Sequence, residues 1–374
     1  MNNSILPLPI EVVAPDLNLI EILTNSFDQF KILAITDKPE AIDTTLDLPM
    51  PGVLFRTSGS TGNPKLIYFS YQNLFQAAQR TIDFYHLTKH DHIIGALPLN
   101  HVGGLMSFVR SHLLGSKFVW AEPSRIQELL PNLEGNMISL VPAQLARVLE
   151  TPHALARAQK LKLIIIGGES PAQSLIKKAL SQNLKISVSY GASETGGQIC
   201  AHSPGSPLNL HSSGFPMGNI RISPLENSTM ISGPGLANAI IQDSKVTPLF
   251  EEVILQDRIV FDELKGMSIL GRNDRLFKSA GHFIDPDQLV LKIKEEMKLD
   301  EAYIYPIPHE KWGHVICLLY KGPSKLKEKD KNVLKKKLHR YELPSHFVEL
   351  PDFGNSIKRS KKQIEEILHL YGLL

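Results

Sequence analysis

The sequence predicts an α/β protein with a large first domain and a small α+β second one, and three regions carry that expectation. Between residues 92 and 189, short apolar runs alternate with helical stretches, the pattern of a parallel sheet with helices on its faces. From residue 203 to 261 the pattern changes to short strands and Pro/Gly turns, as expected for an antiparallel sheet or small barrel. From residue 286 onward, helices and strands mix again. At 374 residues the chain has room for two or three domains of a typical ~150 residues and for a large buried core.

Taken in order, residues 1–50 predict a helix over 17–30, where Leu19, Ile20, Ile22 and Leu23 cluster, and a strand over 31–35, with no visible chemistry. Val53-Leu54-Phe55 is a short apolar run, and Ile67-Tyr68-Phe69 resumes a strand after a polar stretch. A helix follows over 71–85, with Leu74, Phe75, Ala78 and Ile82 on one face. The alternating region predicts strands at 92–97, 117–120, 137–141, 161–166 and 186–189, and helices at 105–114, 124–133, 143–150 and 172–182. Further strands are expected at 219–223, 228–232, 253–255, 303–305 and 315–320, and helices at 286–297 and 325–338. The last of these is lysine-rich. Its Leu326, Val333, Leu334 and Leu338 suggest one buried face, so we read the basic side as solvated and expect no nucleic-acid partner.

Ligands of a parallel sheet bind beyond the carboxyl ends of its strands, and the candidate motifs fall there. The stretch Thr57-Ser58-Gly59-Ser60-Thr61-Gly62-Asn63-Pro64-Lys65 combines hydroxyls, two glycines and a lysine, the donors a backbone needs to wrap polyphosphate oxygens. It is not a Walker A loop, because Pro64 separates the second glycine from Lys65 and Leu66 follows; nor does it have the three-glycine dinucleotide spacing. A plain polar loop is the bland alternative. Pro98-Leu99-Asn100-His101-Val102-Gly103-Gly104 offers a substrate wall at His101, against a merely structural histidine. Gly167-Gly168-Glu169-Ser170-Pro171 suits a flat ligand on bare backbone at Gly168, against a simple strand-to-helix turn. Ser189-Tyr190-Gly191-Ala192-Ser193-Glu194-Thr195-Gly196-Gly197 is more specific: Tyr190 can stack on a base, Gly191 allows close approach, and the Ser193 hydroxyl stands beside a Glu194 carboxylate able to hold Mg²⁺.

These stretches resemble the adenylate-forming enzymes, the superfamily of AMP-forming acyl-CoA synthetases, luciferases and peptide-synthetase adenylation domains. The loop from Thr57 to Lys65 resembles their phosphate-binding signature, and Tyr190 to Glu194 their Tyr-Gly-x-Thr-Glu motif, with Ser193 keeping the hydroxyl. Asp257-Arg258 falls where the family carries an Asp on the ribose hydroxyls. The segment from Gly271 to Pro286 resembles the family's Gly-Arg-x-Asp, Ser-Gly-Gly and Ile-x-Pro run. By that resemblance Arg272 touches the ribose, Asp274 is the hinge to a mobile small domain, and Ser279 to Gly281 line a pantetheine tunnel, with Ala280 in place of the first glycine. Leu350 to Lys361 resembles the final motif, whose lysine enters the active site during adenylation. Lys358 matches that lysine and Lys361 is the alternative. The resemblance implies an ATP- and acid-binding domain over 1–272 and a mobile domain over 273–374; since the Thr57 loop lies nearer the N-terminus than in typical members, the first subdomain is expected to be shortened.

The implied reaction has two halves. A carboxylate attacks the α-phosphorus of ATP to give acyl-AMP and pyrophosphate, and the CoA thiol then displaces AMP, with Mg²⁺ on Glu194 and Lys358 on the acyl and phosphate oxygens. Within the superfamily, Leu97 to Gly104, Glu194 to Ala201 and Lys311-Trp312-Gly313-His314 look like the o-succinylbenzoate:CoA ligases of menaquinone synthesis. His101, with Thr195 to Gly197 leaving room, would then form the pocket for an aromatic dicarboxylate. A carrier-protein-loading adenylation enzyme and a catalytically silent nucleotide binder remain open, as does a lysine-rich interaction protein.

Composition narrows the setting. A net charge of +2 argues against a polyanion-binding protein, and Cys200 and Cys317 form neither a metal-ligand spacing nor a disulfide framework. The start lacks the basic and long apolar segments of a signal peptide, and no apolar run approaches the ~20 residues that span a bilayer. A cytoplasmic ligase is expected, as a monomer or homo-oligomer, with no membrane insertion.

Overall fold

The computed structural model describes residues 8–15, 18–27, 29, 31–38, 42–57, 65–203, 209, 212–299, 301–322, 326, 328–350 and 361–374. Two compact units emerge: one comprises Met1–Ser223, Met230–Leu255 and Phe261–Ser268, and the other Pro224–Thr229, Gln256–Val260 and Ile269–Leu374.

The first unit is built on two mixed sheets. In one, the strands run in the order Ile10–Val13, Ile32–Ile35, Gly52–Thr57, Lys65–Ser70, Ala239–Gln242, Lys245–Pro248; the first three are parallel and the rest antiparallel. In the other, the order is Phe215–Pro216, Gly197–Ala201, Ile186–Ala192, Leu163–Ile166, Met137–Leu140, Ile93–Gly95, Phe118–Trp120. Its five strands from Ile186–Ala192 onward are parallel, and the Gly197–Ala201 strand folds back antiparallel. Met137–Leu140 and Leu163–Ile166 are buried at every position, as strands covered on both faces must be.

The helices follow their caps and apolar stripes. Ser70 accepts from the Asn73 N–H at 3.2 Å and opens the helix Tyr71–Phe84, whose Leu74, Ala77, Ala78 and Thr81 are buried at helical spacing. The helix Val102–Leu114 ends on Gly115 at φ +60°, the left-handed closure that glycine takes without strain. The helix expected over 124–133 is instead three short turns, Pro123–Arg125, Ile126–Leu129 and Leu130–Asn132, because Pro123 and Pro131 lack the N–H groups a continuous helix needs. Elements that the sequence reading did not name include the strands Ile10–Val13, Ala239–Gln242, Gly266–Arg272 and His346–Glu349, and the helices Pro152–Ala158 and Lys361–Leu370. Where a small antiparallel sheet or barrel was expected, the strands are Arg221–Pro224, Thr229–Ser232, Glu252–Leu255, Asp257–Asp262 and Gly266–Arg272, while Ala239–Gln242 and Lys245–Pro248 complete the first sheet.

The second unit is α+β. Its sheet pairs Glu301–His309 with Gly313–Lys321 antiparallel, and the latter with His346–Glu349 parallel. One face packs Leu318 and Tyr320 against Leu289 and Ile293 of the helix Pro286–Met297 and Leu334 of the helix Glu328–Lys337. The other packs Cys317, Leu319 and Val348 against Ile364, Ile367 and Leu368 of the helix Lys361–Leu370. No helix among the described residues is long and apolar enough to cross a membrane.

Candidate functional site

In the first unit the hairpin Gly52–Thr57/Lys65–Ser70 sets Thr57 directly opposite Lys65 at its open end, and the Thr57 hydroxyl reaches the Lys65 carbonyl at 3.4 Å. Ser58, Gly59, Ser60, Thr61 and Gly62 lie outside the described residues. The hairpin therefore delivers both ends of the stretch to one place, as a loop meant to wrap an anion requires.

Tyr190 and Gly191 sit on the last residues of the strand Ile186–Ala192 rather than in a loop beyond it. Gly191 is opposite Gln198, and a Cβ at this position would stand 1.9 Å from the Gly197 carbonyl oxygen. Only glycine lets the two strands close here. The chain then turns through Ser193–Thr195, and Gly196 reverses it at φ +65°. Thr195 holds the turn from inside, accepting the Ala192 N–H at 2.9 Å on its hydroxyl. Glu194 is half-buried and its carbonyl accepts from the Ala237 N–H at 2.9 Å, so its backbone is fixed in the turn.

His101 is exposed at the N-terminal end of the helix Val102–Leu114. The turn before it is tight: a Cβ on Gly104 would lie 2.1 Å from the Pro98 carbonyl oxygen. Gly168 takes φ +85°, a backbone that suits glycine at the end of the strand Leu163–Ile166.

The same helix holds a residue that motif reading passed over. Arg110 is 3% exposed, its Nη2 donates to the Ser107 hydroxyl at 3.0 Å, and its Nε is buried without a partner. Burial pushes its guanidinium down from 12.5 to about 10, and the nearby Tyr85 phenol opposes that fall. It therefore stays charged at neutral pH, with no acidic side chain among the influences on it from the described residues. The helix face that carries it looks toward the Glu194 hairpin: the Cβ position of Gly197 is 3.8 Å from Met106 Cγ, one turn before Arg110. The available signal was a lone cation inside the apolar run from Val102 to Leu114.

In the second unit, Asp257 is only 7% exposed, which removes the reading of a surface turn acid. Arg272 joins it at 3.4 Å and holds Asp274 through Nε and Nη2, each at 3.0 Å. Three residues singled out from the sequence thus form one cluster. Ser279 is buried at the end of the strand Phe277–Ser279, and the hairpin reverses through Ala280 at φ +49° and Gly281 at φ +82°. Lys358 lies outside the described residues; Lys361 begins the helix Lys361–Leu370.

Glu194 is the carboxylate that the sequence offers for a metal, and no group of three His, Cys, Asp or Glu among the described residues could hold one. That donor set fits Mg²⁺, which retains several waters and binds one or two carboxylates together with substrate phosphates.

Residues 19–234 match the AMP-binding enzyme family. Among curated proteins, the chain is 28% identical over 295 residues to a 2-succinylbenzoate–CoA ligase of Listeria monocytogenes; the match takes in 76% of this chain and 62% of that relative's length. Among solved structures, a variant of E. coli MenE with bound OSB-AMS superposes with a TM-score of 0.75 at 22% identity, covering 94% of this chain and 79% of that one. O-succinylbenzoate coenzyme A synthetase (MenE) from Bacillus subtilis, in complex with ATP and magnesium ion, gives 0.70 at 20% identity over 94% and 82%. These likenesses show a shared fold.

Proposed function

Because the chain belongs to the AMP-binding enzyme family, we propose that it is an AMP-forming acid–thiol ligase whose acid is o-succinylbenzoate and whose thiol is CoA, placed in menaquinone synthesis. The observation that carries the choice of acid is Arg110. A buried guanidinium with an unpartnered Nε and no acidic neighbour among the described residues is costly unless an anion arrives to pair with it. The acid's reacting carboxylate must approach ATP, so a second carboxylate on the same acid is the natural counter-ion for Arg110. An aromatic dicarboxylate meets that demand and a monocarboxylate does not. The curated relative's name, 2-succinylbenzoate–CoA ligase, supports the same acid.

The chain's own residues then divide the work. The hairpin end at Thr57 and Lys65 presents donors to the β- and γ-phosphates, Tyr190 stacks on the base, and Gly191 and Gly168 admit the nucleotide against bare backbone. His101 and Arg110 seat the acid. Asp257 and Arg272 serve the ribose, Ser193 and Glu194 the metal–phosphate group, and Ser279 and Gly281 the pantetheine arm of CoA. Mg²⁺, when bound, supplies charge neutralisation at the phosphates. Lys358 follows the negative charge that builds on the acyl and α-phosphate oxygens. Catalysis of this kind is positioning plus electrostatic stabilisation rather than covalent chemistry by the protein.

The test is formation of AMP and CoA thioester from Mg·ATP, CoA and a panel of acids in which o-succinylbenzoate stands beside benzoate and succinate. Thioester from the dicarboxylate alone is the expected result. AMP without thioester points to a carrier protein as the acceptor, and no AMP with any acid leaves a silent nucleotide binder.

A further inference from the structure

Arg80 is 7% exposed on the helix Tyr71–Phe84, and no acidic side chain pairs with it among the described residues. Its guanidinium donates to three main-chain carbonyls: Nη2 to Thr195 at 2.8 Å, Nη1 to Pro234 at 2.9 Å and Nε to Gln198 at 3.1 Å. Each carbonyl belongs to a segment that brackets Glu194. Thr195 is its neighbour in the turn, Gln198 is the second residue of the return strand Gly197–Ala201, and Pro234 lies three residues before Ala237, whose N–H holds the Glu194 carbonyl at 2.9 Å. One turn earlier on the helix, Ala77 fills the space that a Cβ on Gly196 would enter at 2.7 Å, and its backbone N stands 2.6 Å from the same point on Gly235. The helix is thus pressed against both segments, and the guanidinium fork ties them together where they meet.

We infer that Arg80 is a positioning residue for Glu194, setting the turn so that this carboxylate meets the metal–triphosphate group. The charge is held by three carbonyls and not by a carboxylate, so what the guanidinium fixes is the relative placing of the main-chain segments that carry them. Three carbonyls from three segments also demand the planar fork: a lysine keeps the charge but offers one nitrogen and cannot satisfy all three. A shift of the turn on the order of 1 Å is enough to cost about 10²-fold in a positioned interaction.

This inference rests on the nucleotide site proposed above, and its experiment reads binding rather than turnover. ATP binding is titrated calorimetrically across Mg²⁺ concentrations for wild type, Arg80→Lys, Arg80→Met, Glu194→Gln and the double variant Arg80→Lys/Glu194→Gln, with far-UV circular dichroism confirming the fold. The expected result is a rise of about tenfold or more in the Mg²⁺ needed for half-maximal ATP affinity in both Arg80 variants, with ATP affinity in excess chelator unchanged. The double variant should match Glu194→Gln alone, because both act on one ligand. The two Arg80 variants bracket the folding question: Met removes a buried charge and retains the volume, so at least one folded variant is expected. An unchanged Mg²⁺ dependence in a folded variant, additive losses in the double variant, or loss of fold in both variants overturns the inference and leaves Arg80 a structural staple. If wild type binds ATP with no Mg²⁺ dependence, the inference falls whatever the ligase assay gives. If wild type binds Mg·ATP but joins no acid to CoA, the ligase reading falls and the titration still decides the role of Arg80.

Discussion

Replacing Arg110 with Met should raise stability and abolish efficient use of the acid, an opposition that packing alone would not produce. The fall of this guanidinium from 12.5 to about 10 is caused by burial and corresponds to about 3 kcal/mol of lost solvation in the charged form. One hydrogen bond, to Ser107 at 3.0 Å, offsets part of that cost, and the buried Nε offsets none. Met fills much of the same volume without the charge, so thermal or urea unfolding of the unliganded variant should show a gain of about 1–3 kcal/mol. In the proposed complex with the acid the same guanidinium would gain a carboxylate, and its absence would leave that carboxylate buried and unpaired at a cost of about 3 kcal/mol, or roughly 10²-fold in KM for the acid. KM for ATP should stay within about threefold, since Arg110 contributes nothing to nucleotide uptake in this account. Arg110→Lys should fall between, because an ammonium keeps the charge but loses the fork. A Met variant that is less stable than wild type and retains its KM for o-succinylbenzoate would refute the reasoning and make Arg110 part of the core.

Three further expectations concern other parts of the chain. Lys358→Ala should slow acyl-AMP formation by about 10²-fold or more while still converting supplied acyl-AMP to thioester, and Lys361→Ala should leave both half-reactions near the wild-type rate; the reverse pattern for the two variants would assign the role to Lys361. Burial tends to raise the Asp91 carboxyl, but bonds from Lys162 and the Thr88 N–H outweigh it and hold it below 3.8. Its contribution is therefore complete above the unfolded value of 3.8 and lost as pH falls through the lower folded value, so Asp91→Asn should cost about 1–2 kcal/mol near neutral pH in urea unfolding, with the gap to wild type closing in strong acid. Ala280 stands at φ +49°, a left-handed backbone that costs a non-glycine residue about 1 kcal/mol, so Ala280→Gly should leave stability equal or higher by up to that amount; a clear loss would show that its methyl group is needed in the hairpin.

What could be read from the sequence, and what could not, follows from where each residue finds its partner. The strands Met137–Leu140 and Leu163–Ile166 were legible because sheets covered on both faces leave unbroken apolar runs. The strand Ala239–Gln242 was not, because it exists to pair with Lys65–Ser70, and the bond that ties Ser70 to Asn238 joins positions 168 apart. The candidate site divides in the same way. Gly191, Glu194 and the hydroxyl-rich stretch after Phe55 announce themselves, since their residue types gather locally for one purpose. Arg80 and Arg110 do not, because periodicity counts apolar residues and assigns a lone cation on a helix to its wet face. Both are in fact buried, one on three main-chain carbonyls and the other on a single hydroxyl. A buried cation that is paired with a carboxylate has an acidic residue somewhere in the chain to match it. One that is reserved for an anionic ligand, or that shapes the turn where such a ligand binds, leaves no complementary residue in the sequence. Of the two here, Arg80 is satisfied by carbonyls around the Glu194 turn, while Arg110 keeps an unpartnered Nε, so Arg110 is the cation that the proposed dicarboxylate would pair with.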